Sequence, residues 1–315
     1  LTSDNLSVDN FTIDTTAPSV DSFTMSDTAI KAGETATVQL VLSEAVISFS
    51  SSADITAPNG SLSTMTSSDN ITWSGTFTPT TNTEDASNTL SLATSYTDTA
   101  GNSGPAATTA NYEVETLAPT VSSAAITSAS GVQNSLLNAG DVVSVTATFS
   151  EAVNVGAGNP TLTLVVGSSN RTATYASGSG STELVFRYTI QATGTSGEND
   201  SNGISIGANA LALNNGTIKD AAGNNGTLTH SAVSDNSGYK VDTTPSTVDN
   251  VAITSASGVQ NSLLNAGDVV SVTATFSEAV VVDTTSGNPT LTLVVGSNNR
   301  TATYTLGSGS TDLVY

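Results

Sequence analysis

The chain has 315 residues, with 27 acidic against 6 basic side chains and a formal charge of −21, and its acids are scattered along it. Such a field repels nucleic-acid phosphates and anionic lipid headgroups and attracts divalent cations, so it argues against nucleic acid or a membrane surface as partner. Hydrophobic residues make up 37% in short alternating runs, enough for several small cores and far from the roughly 18 consecutive apolar residues of a membrane span.

In chain order, Val8 to Asp14 mirrors the stretch Gly238 to Asp242, so residues 1–16 are expected to be the last strand of a preceding repeat. An acid followed closely by proline recurs at Asp14 to Pro18, Glu115 to Pro119 and Asp242 to Pro245. Proline stiffens a connection and cannot continue a ladder, so these points divide the chain into units 17–116, 117–243 and 244–315, the first two of about 100 and about 125 residues, an ordinary domain size.

Within each unit the period is two. Ala36, Val38, Leu40 and Leu42 alternate with polar residues, as do Val143, Val145, Ala147 and Phe149, then Leu162, Leu164 and Val166, then Leu184, Phe186, Tyr188 and Ile190. Clusters of Gly, Asn, Asp and Ser separate these runs, and no stretch carries a helical stripe. The pattern predicts an all-β chain of tandem immunoglobulin-like antiparallel β-sandwiches, with Trp73 packed in the core of the first.

The third unit copies the second. Ala125 to Val153 recurs unchanged as Ala252 to Val280, and Gly158 to Tyr175 recurs as Gly287 to Tyr304 with one difference, Ser169 against Asn298. The unit 244–315 is thus near-identical to 124–186 and stops at Tyr315, the counterpart of Phe186, before any counterpart of Ile204 to Lys240. We expect a window on a longer array; the alternative is a filament in which another copy of the chain completes the open sandwich edge.

The residue inventory leaves little room for catalysis. There is one histidine, His230, read as a solvated side chain, and no cysteine, so Cys/His and repeated Ser/His/Asp arrangements are absent. No carboxylate lies in the apolar, aromatic-rich setting that a glycosidase cleft needs. The absence of disulfides in so Ser-, Thr- and Asn-rich a chain favours a bacterial surface protein stabilised in another way.

Metal binding is the stronger reading. In a seven-stranded sandwich the upstream linker, the end of the second strand and the loop before the last strand share one pole. For the first unit that brings together Asp14, Glu44, Asp98 and Asn102; for the second, Glu115, Glu151, Asp220 and Asn224; for the third the set begins with Asp242 and Glu278. Hard oxygen ligands of this kind suit calcium, which takes about six to eight. The competing reading is a favourable Asp-x-x-Gly-Asn turn beside solvated acids. Glu198, Asp200 and Asn202, followed by Gly203, resemble the opening of a calcium loop, although the downstream bidentate Glu is missing and an ordinary polar turn fits as well.

The stretch Gly140 to Val153 with Thr161 to Leu164, Ala173 to Tyr175 and Lys219-Asp-Ala-Ala-Gly-Asn224 resembles the swimming-associated repeat of giant bacterial surface proteins. The first unit, with Leu42-Ser-Glu-Ala-Val46 and Thr97-Asp-Thr-Ala-Gly-Asn102, is similar to the bacterial Ig-like repeats of large biofilm and RTX-type adhesins. The resemblance implies secreted, extracellular, surface-displayed and calcium-dependent arrays, hence a non-enzymatic extension region whose partners are calcium and neighbouring repeats. A carbohydrate- or protein-binding module and the spacer of a secreted hydrolase remain alternatives.

Overall fold

The computed structural model describes residues 12–192 and 198–315. Most of the strand expected over Val8 to Asp14 lies outside these residues, and 12–19 carry no regular structure. About half of the chain is strand and 1% is helix, so the chain is an all-β protein of Ig-like sandwiches. One compact unit reaches Asp242, and residues 243–315 form the second together with Ala192, Glu198 and Asn199.

The larger unit holds two separate cores. In the first, Ala36–Leu42 is the central strand, antiparallel to Val20–Met25 on one side and to Thr72–Pro79 on the other. Its burial alternates residue by residue, with Val38 and Leu40 fully buried, as the period of two demands. The facing layer sets Tyr112–Glu115 between Ala29–Lys31, which runs parallel to it, and Glu84–Asn88, which runs antiparallel. Phe77 and Tyr112 join the layers edge to face at 5.1 Å. The Tyr112 hydroxyl donates to the Pro58 carbonyl at 2.6 Å, and burial pushes its pKa up to about 12. Trp73 packs from the side of this core, its ring 4.7 Å from that of Phe49.

The second core is organised by Val142–Val155, antiparallel to Val121–Ser130 and Ser181–Thr189. Beyond these lie Ser169–Ser177, Thr161–Val166 and Leu211–Ala212. Leu136–Leu137 pairs in parallel with the final strand, Lys240–Asp242. Thr146, placed on the polar face by the alternation, is instead buried. The strand Val121–Ser130 covers it, and the hydroxyls of Thr127 and Thr146 satisfy each other at 3.0 Å. The end of the long strand leaves the main ladder, and Asn154 and Val155 pair with Lys219 and Ile218, next to Asp220.

The smaller unit repeats the early strands, with Val269–Val280 between Val248–Ser257 and Ser310–Val314, and Thr290–Val295 hairpinned to Asn298–Thr303. Val272, Ala274 and Leu313 are buried in it, whereas Ile253 is 68% exposed. One element falls outside the period-two reading, the helical turn Ser51–Asp54. At four residues it is too short to show a stripe, and it closes because the Asp54 carboxylate accepts the Ser50 N–H at 2.8 Å.

Candidate functional site

Two loops of one design dominate the upstream ends of the two domains in the larger unit. In Asp98-Thr-Ala-Gly-Asn102, Asp98 Oδ1 accepts the N–H groups of Ala100 and Asn102 at 2.8 and 2.9 Å, and Oδ2 accepts from Asn102 Nδ2 at 2.8 Å. In Asp220-Ala-Ala-Gly-Asn224, Asp220 Oδ1 accepts from the N–H groups of Gly223 and Asn224 at 2.6 and 2.8 Å, and Oδ2 from Asn224 Nδ2 at 2.7 Å. Gly101 and Gly223 have φ of 97° and 98°, the left-handed geometry that lets each loop turn back on its aspartate.

A carboxylate offers about four acceptor sites. Three are filled on each aspartate by its own loop, which aims the carboxylate and leaves one lone pair. Both aspartates are buried. The side-chain hydrogen bond from Asn102, with the loop N–H groups behind it, outweighs burial and lowers the Asp98 pKa, so Asp98 is held as an anion.

At the first pole, oxygens of Asp14, Glu44 and Asp98 lie within 4.8 Å of one another. The linker supplies Asp14, the end of the central strand supplies Glu44 and the loop supplies Asp98. Asp14 also accepts the Thr16 N–H at 3.0 Å. Asn102 lies beside this trio, with its amide nitrogen turned to the linker carbonyls of Asp14 and Thr16 at 3.3 and 3.2 Å.

At the second pole, Glu115, Glu151 and Asp220 line one cavity of about 520 Å³ together with Glu84 and Glu113. Glu84 faces Glu115 directly across the ladder, an arrangement that is unfavourable for like charges in the absence of a counter-ion. Burial first, then the charges of Glu84, Asp220 and Glu113, raises the Glu115 pKa, although the Leu117 N–H on its carboxylate acts the other way. Glu151 is raised by burial and by Asp220, Glu115 and Glu84. Asn224 donates to the Glu115 carbonyl at 3.0 Å, while its Oδ1 accepts the Ala32 N–H of the preceding domain at 2.9 Å.

The sequence reading missed Glu84 and Glu113. Glu113 was within reach, because it alternates with Glu115 in Tyr112–Glu115 and so shares its face. Glu84 was not, because its register opposite Glu115 is set by long-range pairing.

Asp242 ends its strand in the larger unit, and Glu278 lies near the end of Val269–Val280 in the smaller. Asp200 is buried and accepts N–H groups from Gly167, Asn202 and Gly203 at 2.7, 3.3 and 2.8 Å. It therefore ties its turn to a neighbouring hairpin. Asn202 donates to Asp235, and Glu198 is buried, with its backbone N–H and carbonyl both bonded to the Thr243 hydroxyl. His230, expected to be solvated, is half-buried: Nε2 accepts the Ala210 N–H at 2.8 Å and Nδ1 donates to the Ser231 carbonyl at 2.8 Å. Both ring nitrogens are engaged by backbone.

Residues 14–114 match the family model of a bacterial Ig-like domain, which covers the first domain together with its linker acid Asp14. Domains of this family are typically non-catalytic surface or extension modules. No curated protein matches the chain. No helix among the described residues is long and apolar enough to cross a membrane.

Proposed function

We propose that this chain is part of the structural and adhesive extension region of a large, extracellular bacterial surface protein, and that calcium stiffens the joints between its domains. The observation that carries the reading is the meeting of Asp14, Glu44 and Asp98 at one pole, each from a different segment. An ion held there would tie the linker to the domain that follows it. The acids around Glu115, Glu151 and Asp220 support the same role at the next joint, where Glu84 and Glu115 face each other and uncompensated charge opposes closure. The donors are hard oxygens, which fits calcium better than a softer metal. Protein carbonyls and water would complete the shell.

Calcium binding to the folded state would stabilise it by about 2.7 kcal/mol at a hundredfold excess over Kd. For a domain of about 100 residues that is a rise in Tm of roughly 13 °C. The test is calorimetry and small-angle scattering of the whole chain in calcium and in EDTA. The expected result is a higher Tm and a stiffer particle with calcium, and no change in either measurement sinks the proposal. Glu44→Gln should abolish the first-domain response, since among the described residues Glu44 makes no hydrogen bond whose loss would confuse the outcome.

A further inference from the structure

We infer that Asn224 is a positioning residue that locks the first domain to the second without any cation, and that it does so by reading main-chain atoms alone. Its side chain makes three hydrogen bonds, two of them across the joint. Nδ2 holds Asp220 Oδ2 of its own loop at 2.7 Å and the linker carbonyl of Glu115 at 3.0 Å, and Oδ1 takes the N–H of Ala32 at 2.9 Å. One amide thus grips the loop, the linker and the body of the preceding domain. The two fragments are far apart in sequence, and the side chain that joins them is buried.

The neighbouring atoms are arranged to receive it. Lys31 to Glu34 is a tight turn closed by the Glu34 N–H on the Lys31 carbonyl at 3.1 Å, with Gly33 at φ 81°. A positive φ at the third position marks a type II turn, so the Ala32 N–H lies outside the turn's own hydrogen bond and is available to Asn224. Gly223 faces the Lys31 side chain, whose Cδ and Nζ would lie 3.6 Å from an added Cβ, an ordinary contact, so it is the φ of 98° and not crowding that favours glycine there. Asn102 repeats the linker half of the grip, on the carbonyls of Asp14 and Thr16. Neither the Glu115 carbonyl nor the Ala32 N–H depends on a side chain. The surface is therefore suited to any upstream repeat that offers a linker carbonyl and a turn N–H at these places.

The experiment measures the distance between the two domains in the whole chain by double electron–electron resonance, with labels on cysteines introduced at the exposed residues Ser87 and Ser177. The chain has no cysteine of its own. All samples are in EDTA. The parent chain should give a narrow distribution, and Asn224→Ala one broader by roughly twofold or more, as expected when a small inter-domain interface loses its tie. Ala32→Pro removes only the N–H, and Pro is favoured at that turn position, so it should broaden the distribution while leaving the first-domain Tm in place. Lys31→Ala alters a side chain and no main-chain donor, and should leave the distribution narrow. Equal widths for the parent and both Asn224→Ala and Ala32→Pro overturn the inference, and broadening by Lys31→Ala overturns the main-chain reading. The calcium proposal is judged separately: its failure is the absence of any calcium effect on the parent chain, which leaves these outcomes untouched.

Discussion

The same sequence occurs twice in this chain, and the two copies differ in what they bury while agreeing in how they turn. Ile126 is 8% exposed and Leu137 fully buried, whereas their counterparts Ile253 and Leu264 are 68% and 48% exposed. The hairpins nevertheless match closely. The ladder irregularities fall at equivalent residues, Val121/Ser123 and Ile126/Ser128 against Val248/Asn250 and Ile253/Ser255. The Tyr175 hydroxyl takes the Ser179 N–H at 2.9 Å, and the Tyr304 hydroxyl takes that of Ser308 at 2.9 Å. Turn geometry and strand register are thus written locally. Burial is not, because in the second domain it depends on Ile204, Ile206, Leu211, Ile218 and Val241, which have no counterpart within 244–315.

The comparison is tested hardest by truncating one leucine in each copy. Leu137→Ala should cost about 2–5 kcal/mol, the usual cost of a cavity in a closed core, and Leu264→Ala under about 1 kcal/mol. Hydrogen exchange of the amides in Val142–Val155 and Val269–Val280 reads the two separately. Equal losses would mean that the shared block is stabilised by its own hairpins rather than by the late strands.

A smaller and opposite expectation concerns glycine. A side chain at Gly178 would come within 1.9 Å of the Glu183 carbonyl oxygen, and one at Gly307 within 2.0 Å of that of Asp312, with φ at 110° and 112°. Gly178→Ala and Gly307→Ala should therefore loosen their turns by similar amounts, about 1–3 kcal/mol each. A large difference between them, seen by exchange at Ser181 and Ser310, would show that the turns sense more than their own residues.

The smallest effect lies at Glu151, whose environment combines Asp220 of its own domain with Glu115 and Glu84 from upstream. Its raised pKa means that the folded joint binds a proton more tightly than the unfolded chain. Stability from this group and from Glu115 is therefore present at acid pH and lost as pH rises from the ordinary glutamate range through the raised value. In EDTA at pH 7, Glu151→Gln should raise Tm by about 2–4 °C, with the gain shrinking toward pH 4. A gain that persists at pH 4 would place the effect elsewhere than in the carboxylate charge.

Alternation made the sandwiches legible, because each strand buries one face. The pole shared by Asp14, Glu44 and Asp98 is the one that strand counting indicates, since an even number of strands returns the chain to the end where it started. Asn224 was less legible. Its residue type suggested an oxygen ligand, whereas its place between a linker carbonyl and the Ala32 N–H gives both ends of the amide work that pattern alone does not reveal. Thr146 was misplaced for a related reason: a covering strand buries a threonine once another hydroxyl satisfies it.

The parallel pairings near the domain ends bear on how the chain carries load. Ala29–Lys31 runs alongside Tyr112–Glu115, and Leu136–Leu137 alongside Lys240–Val241, so in each domain an early segment lies beside the last strand and points the same way. Tension that draws the two ends of a domain apart pulls such neighbours past each other lengthwise. Their hydrogen bonds are then strained together in shear instead of opening one at a time like a zip, and each domain resists stretching with its whole terminal ladder at once.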